Sequence, residues 1–426
     1  MRVFFLILSL CVTLMMIPAT ESKAQWVSTT NFTTDIITCL TTNEVELFAG
    51  TSKGTIFSTA DNGSTWTLRD SGLTCTSIFT VAFQGSVLFA GTDSGVCKST
   101  NNGNLWSKSS EGLSQSSIHA IAVNDTFIFA ATDHGIFRSS DSGRYWHEAD
   151  SGLTSTRVSS LAISDTNLIA GTAGGGVFIS KDNGRYWSGV YSRPGSFSVG
   201  KLLVNNAMVY ASFGYAPPYV AYYAGVCVSN DYGNSWKLGY SYGSIEGAGM
   251  IVYDFASSGT QLFEAASFQA FGNPSINGVF LSRDSAMSWS NVSTGLQDSN
   301  VCSLAISGSW LFAGTYQAGV WKRSLSEMIA SISDHNTLPE KFLLLQNYPN
   351  PFNPTTTIRY QLPAASNVSL KVYDILGREV AFLVNEKQNA GAHQVSFNAN
   401  KLSSGAYFYK IQAGTYISVK KMVLLK

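Results

Sequence analysis

The stretch Ser139-Ser140-Asp141-Ser142-Gly143-Arg144-Tyr145-Trp146 sets the period of most of this chain, because its pattern occurs six times between Gln25 and about Ser326. Its chemistry is that of a tight turn. Asp141 folds its carboxylate onto the backbone N–H groups just ahead of it, Gly143 takes the positive φ that closes a hairpin, and Trp146 opens a strand whose large indole needs a buried surface. The other copies end at Trp66, Trp106, Trp187, Trp236 and Trp289, with Asp61, Asn101, Asp182, Asp231 and Asp284 at the Asp position. Asn101 preserves the side-chain-to-backbone turn. Ala286, standing where the other copies have Gly, is predicted to strain its turn by disfavouring φ > 0.

This pattern resembles the Asp-box (BNR) repeat of sialidases, sortilin-type receptors, xyloglucan hydrolases and photosystem II assembly factors. The resemblance speaks to fold more than to activity, since in those families the box lies away from the active site.

Upstream of each box an apolar segment ends in a signature such as Leu47-Phe48-Ala49-Gly50-Thr51, which recurs at Leu88, Ile128, Leu168 and Leu311 and in degenerate form at Val209 and Leu262. Each of these seven units reads as four short strands, the sequence form of a propeller blade. The seventh unit lacks a box, and Gln25-Trp26-Val27 opens the mature chain instead. Trp26 precedes Leu40 by 14 residues, close to the 15 that separate Trp66 from Val81 and Trp106 from Ile121. The spacing therefore assigns Trp26 to the outer strand of the seventh blade, closing the ring and removing open edges. The expected fold class is all-β, a seven-bladed β-propeller over 25–326 followed by a small Ig-like β-sandwich over 338–426, with a linker over 327–337.

Connection lengths point to the working face. Second-to-third strand spacing is 9 or 10 residues in five units but 18 from Val209 to Cys227 and from Leu262 to Phe280. The insertions fall on the face opposite the boxes, where variable loops of a rigid scaffold usually carry function. They are rich in Tyr215, Tyr219, Tyr222 and Tyr223, in Tyr240 and Tyr242 with Glu246, and in Phe268 and Phe271. Such aromatics suit sugar or protein binding, or alternatively a small core under the long loops. Lys201 and Asp254 occupy matching positions in adjacent inner strands, and an ion pair between them is expected.

The ends and the composition bound the rest. Residues 1–24 read as a secretory signal peptide, with Arg2, an apolar run from Phe4 to Ile17 too short to span a bilayer comfortably, and Ser22-Lys23-Ala24 as the cleavage site. Twenty-seven basic residues balance 27 acidic ones without a basic stripe, which argues against a nucleic-acid partner. Five cysteines remain after the signal, an odd number that cannot all pair. Cys97 and Cys227 stand where other units have Phe and read as small buried hydrophobes. The histidines are scattered, so no metal or other cofactor is expected.

From Leu338 the chain resembles the type A sorting domain of the type IX secretion system of Bacteroidota-like bacteria. The matching residues are Leu338 to Phe342, Asn347-Tyr348-Pro349-Asn350-Pro351-Phe352-Asn353-Pro354, Val372 to Val380, Leu402 to Lys410 and Lys420 to Leu425. The resemblance implies the type IX machinery as a partner and export to the medium or the outer cell surface. Two readings remain for the repeat region: a non-enzymatic propeller binding a glycan, protein or surface partner, or a glycoside hydrolase of sialidase or xyloglucanase type. The second needs paired carboxylates, for which Glu246, Asp254 and Glu264 are the candidates.

Overall fold

A computed structural model describes residues 25–29, 35–43, 45–113, 116–191, 197–215, 224–242, 249–269, 276–328, 342–347 and 350–425. The expected signal peptide and residues 329–337 of the expected linker lie outside them. The chain is all-β and divides into two compact units, Met1–Ser331 and Ile332–Lys426.

Among the described residues the first unit holds seven antiparallel sheets of four strands each. Sheet two is typical, with strands Ile78–Gln84, Val87–Thr92, Gly95–Ser99 and Ser107–Lys108. The first strands of successive sheets, beginning at Ile37, Ile78, Ile118, Val158, Phe197, Gly249 and Val301, pack side by side. The last of them returns against the first. This is a propeller-like arrangement, and it explains the uniform burial of second strands such as Leu47–Thr51 and Ile128–Thr132: neighbouring sheets cover both of their faces. The fourth strand of sheet seven is Val27–Ser28, which pairs with Val320–Ser324 from the other end of the unit.

Each Asp box is a hydrogen-bonded turn. The Ser139 hydroxyl donates to Asp141 Oδ1 at 2.7 Å and accepts the Gly143 N–H at 2.9 Å, while Asp141 Oδ1 accepts the Tyr145 N–H at 2.9 Å. These bonds to the ionised form hold the Asp141 carboxyl below its usual range, the Ser139 hydroxyl contributing most. Two consecutive residues are left-handed, Ser142 at φ 58° and Gly143 at φ 80°, where the sequence pointed only to the second. Ala286 adopts φ 66° in full burial, so that box keeps its form with the strain placed on the alanine.

The box tryptophans then join sheet to sheet. The backbone N–H of Trp146 donates to Glu111 O at 2.8 Å, and its indole N–H donates to Ser109 O at 2.8 Å. Trp106 does the same to Ser71 and Arg69 and Trp187 to Ser151 and Ala149, and Trp26, which follows no box, does so to Thr294 and Val292. The acceptors belong to a turn with Gly-Leu at its end, Gly72, Gly112, Gly152 or Gly295, each with positive φ. At Gly112 a Cβ would lie 2.2 Å from Trp146 O, so glycine is required there.

In the second unit a three-stranded sheet (Leu343–Leu344, Thr355–Leu362, Gly391–Asn398) and a four-stranded sheet (Glu379–Gln388, Ser366–Tyr373, Gly405–Ala413, Tyr416–Leu424) contribute to one core that includes Ile358, Tyr360, Leu370, Tyr409 and Met422. The Asn-rich motif ties the start of the unit to its end. Asn347 N–H donates to the Tyr409 hydroxyl at 2.7 Å, and Asn350 Oδ1 accepts the Val423 N–H at 2.8 Å.

Candidate functional site

In every first strand one buried Ile or Val precedes a break in the ladder: Ile37, Ile78, Ile118, Val158, Val199, Val252 and Val301. The residues pushed out by these β-bulges are Thr38, Phe79, His119, Ser159, the pair Gly200-Lys201, Tyr253 and Cys302. A bulge re-aims side chains that a regular strand would keep in register. Here it directs all seven to one place, because Thr38, Phe79, His119, Ser159, Lys201, Tyr253 and Cys302 all line a cavity of about 360 Å³, together with Ile36, Arg157 and Val158.

Strand register gives the face. Ile37 lies opposite Thr51, at the end of the sheet where second strands finish, whereas Leu47 lies opposite Thr59, where the box begins. The cavity therefore opens at the end of the sheets away from the boxes, the end that carries the long insertions.

The walls are partly committed. The Thr38 hydroxyl donates to Gly50 O at 3.0 Å and also contacts Ile78 O, and the Ser159 hydroxyl donates in the same way to Gly171 O and Val199 O, so each spans two sheets. Asp133 Oδ1 lies 3.1 Å from both Arg157 Nε and His119 Nε2. Burial pushes the Cys302 thiol up to about 11, with Asp298 adding to the effect, so this thiol is a poor nucleophile at neutral pH.

Lys201 and Asp254 do not form the expected ion pair. Both residues stand two places after the buried Val, but Asp254 pairs with Ala265 in the ladder whereas Lys201 has no ladder partner and gives its N–H to the Ser212 hydroxyl. Asp254 Oδ2 instead accepts the Leu304 N–H at 2.9 Å, and burial raises its pKa despite the field of Lys201. Glu264 is wholly buried on a second strand, and neither it nor Asp254 lines the cavity. Glu246 lies outside the described residues. So do Tyr219, Tyr222, Tyr223 and Phe271. Of Tyr215, Tyr240, Tyr242 and Phe268 only the backbone is described, as parts of strands Met208–Tyr215, Lys237–Tyr242 and Gln261–Gln269.

The structural Asp-box residues Asp61, Asn101, Asp141, Asp182, Asp231 and Asp284 all accept backbone or side-chain hydrogen bonds within their own turns, at the opposite end from the cavity. Sequence inspection missed the cavity lining because its seven residues share no chemistry. The available signal was the preceding Ile or Val, constant in all seven units.

Several solved structures share this fold. A family 74 xyloglucanase from Xanthomonas campestris matches at 15% identity over 79% of this chain and 59% of its own, with a TM-score of 0.53. YCF48 bound to D1 peptide matches at 17% over 72% of this chain and 96% of its own, also with a TM-score of 0.53. The extracellular domain of a hybrid two-component system from B. thetaiotaomicron matches at 13% over 95% of this chain and 60% of its own, with a TM-score of 0.56. The chain thus spans about three fifths of the xyloglucanase and of the sensor. No curated protein matches the chain. Residues 346–425 match the secretion system C-terminal sorting domain.

Proposed function

We propose that this protein is a secreted or surface-displayed, non-enzymatic β-propeller of seven Asp-box-type blades that binds a ligand at the cavity opposite the boxes. Its Ig-like C-terminal sandwich addresses it to the type IX secretion machinery after a signal peptide has carried it across the inner membrane. The observation that carries the binding role is the ring of seven bulges, which turns one side chain from each sheet into a single cavity. Sites of this size with mixed aromatic, hydroxyl and charged walls suit a small ligand or the tip of a larger one. On this reading the insertion aromatics Tyr215, Tyr219, Tyr222, Tyr223, Tyr240, Tyr242, Phe268 and Phe271 would supply further contact to a glycan or protein.

The alternative is glycoside hydrolysis, in line with the fold shared with a xyloglucanase. That chemistry uses two carboxyl groups across the scissile bond, and the described residues lining this cavity include none. A polysaccharide panel applied to the purified protein tests the choice. Retention of a glycan without release of reducing ends, lost on Tyr253→Ala, is the expected result; steady release of reducing ends would establish the hydrolase. For export, a chain ending near Ser333 should cross the inner membrane and stay in the periplasm. Its normal appearance outside the cell would remove the address from the tail.

A further inference from the structure

The fifth sheet differs from the other six in how its bulge is built. Elsewhere one residue leaves the ladder, but here both Gly200 and Lys201 do, between the pairs Val199 with Phe213 and Leu202 with Ala211. Opposite the bulge, four sheets have a glycine at which a Cβ would come 2.5–2.7 Å from a neighbour: Gly50, Gly91, Gly171 and Gly314. The fifth sheet has Ser212 instead, 3% exposed, and its hydroxyl accepts the Lys201 N–H at 2.8 Å. The bulge runs three residues against two as in the other sheets, but the hydroxyl takes the place of the backbone partner that Lys201 would have in the ladder. The hydroxyl in turn satisfies the amide that the bulge removed from the ladder.

The side chain so held is cationic and uncommitted. None of the ion pairs among the described residues involves Lys201. It lines the cavity with Arg157 and His119, and no carboxyl group is among the described residues that line it with them. The nearby acids are engaged outside the lining, Asp133 with Arg157 and His119 and Asp254 with the Leu304 amide. A half-enclosed ammonium with no direct ion pair among the described residues, Asp254 acting on it only through its field, favours an anion, and aromatic walls at Phe79 and Tyr253 favour a ring.

We propose that the cavity binds a small carboxylate carried on a ring, either a uronic acid residue or an aryl acid, with Lys201 as counter-ion and Arg157 as the second cation. This rests on the cavity being the binding site. Calorimetry on the whole protein with glucuronate, benzoate and neutral glucose tests it and separates the two sources. Binding of glucuronate or benzoate, at least tenfold weaker for Lys201→Met, retained by Lys201→Arg and absent for glucose, is the expected result. Thermal melting of each variant confirms that the fold is kept, and Lys201→Gln serves if Lys201→Met does not fold. Failure of both acids to bind, or equal affinity for glucose, or an unchanged affinity in Lys201→Met, overturns the carboxylate proposal. If a neutral xyloglucan oligosaccharide binds and is lost on Phe79→Ala while neither acid binds, the carboxylate proposal falls and the cavity remains the site. If binding of any of these probes is indifferent to Phe79→Ala, Tyr253→Ala and Lys201→Met alike, the cavity reading falls too.

Discussion

The seam between sheets two and three and the seam between sheets five and six are built on the same eight-residue box, yet they are held differently. At the first, Trp146 is 1% exposed and donates both of its N–H groups to the preceding sheet. At the second, Trp289 is only half-buried and its indole N–H, itself out of contact with water, has no partner. The seam between sheets four and five resembles the second, because Trp236 turns its indole N–H back to Gly233 O of its own box at 3.0 Å. Both loosened seams border the fifth sheet, the one in which Lys201 has no partner in the ladder. The chain after Trp187 and Trp236 shows why: it continues as strands Ser188–Tyr191 and Lys237–Tyr242, where sheets one, two, three and six stop after two residues and make the Gly-Leu turn that receives Trp106, Trp146, Trp187 and Trp26.

A matching change occurs at the ends of the second strands. Thr92, Thr132, Thr172 and Thr315 each donate a hydroxyl hydrogen bond across the next turn, to Gly95, Gly135, Gly176 and Gly319 carbonyls, and the turn is short. Sheets five and six have Phe213 and Ala266 at that position, and their strands run on to Tyr215 and Gln269. The molecule thus divides into a stapled arc that supplies rigidity and an arc that has exchanged its staples for longer strands around one side of the cavity.

The largest contrast should come from truncating the two kinds of tryptophan. Trp146→Ala should cost about 3–5 kcal/mol as a buried aromatic truncation, and Trp236→Ala, half-buried and bonded to its own turn, clearly less in urea unfolding. Equal losses would break the distinction between the arcs. Gly112→Ala should cost on the order of 1–3 kcal/mol, since it combines a left-handed backbone with a Cβ aimed at Trp146 O. Smaller and sharper is the pair Trp146→Phe and Trp289→Phe. The first leaves the Ser109 carbonyl without its donor and should cost about 1–3 kcal/mol. The second removes an N–H that already lacks a partner and should change stability by less than about 0.5 kcal/mol.

The smallest effect concerns the boxes themselves. Asp61 has its carboxyl lowered to about 2, chiefly by the Thr65 hydroxyl, then by the Thr65 N–H and the Thr59 hydroxyl. A pKa depressed in the folded state stabilises above the unfolded value near 4 and is lost as pH falls through about 2. The melting temperature should therefore fall with pH across that window, and less so in Asp61→Asn. The second box, with Asn101, has no such carboxyl to protonate.

Much of this was legible in the sequence for a physical reason. The box repeats because the same turn must be closed each time, and Trp26 stands out because its distance to the next inner strand matches the other copies. The substitutions of Phe213 and Ala266 for Thr were visible as degenerate signatures, but their meaning required the hydroxyl bonds of the regular copies. The cavity was not legible, since a bulge leaves no period: Thr38, Phe79, His119, Ser159, Lys201, Tyr253 and Cys302 share no single chemistry, only a place one residue after a buried Ile or Val, or two in the case of Lys201. Lys201 and Asp254 do hold matching positions, as counting along the chain says, but counting could not show that Ser212 draws the Lys201 amide out of the ladder.

The division into two arcs is tested most directly by indole hydrogen exchange, because the nine tryptophans place a reporter at every seam. In one NMR experiment on the whole protein, the indole N–H groups of Trp26, Trp106, Trp146 and Trp187 should exchange only with global unfolding, and those of Trp236 and Trp289 much faster, through local opening. Equal protection at Trp146, Trp236 and Trp289 would contradict the account.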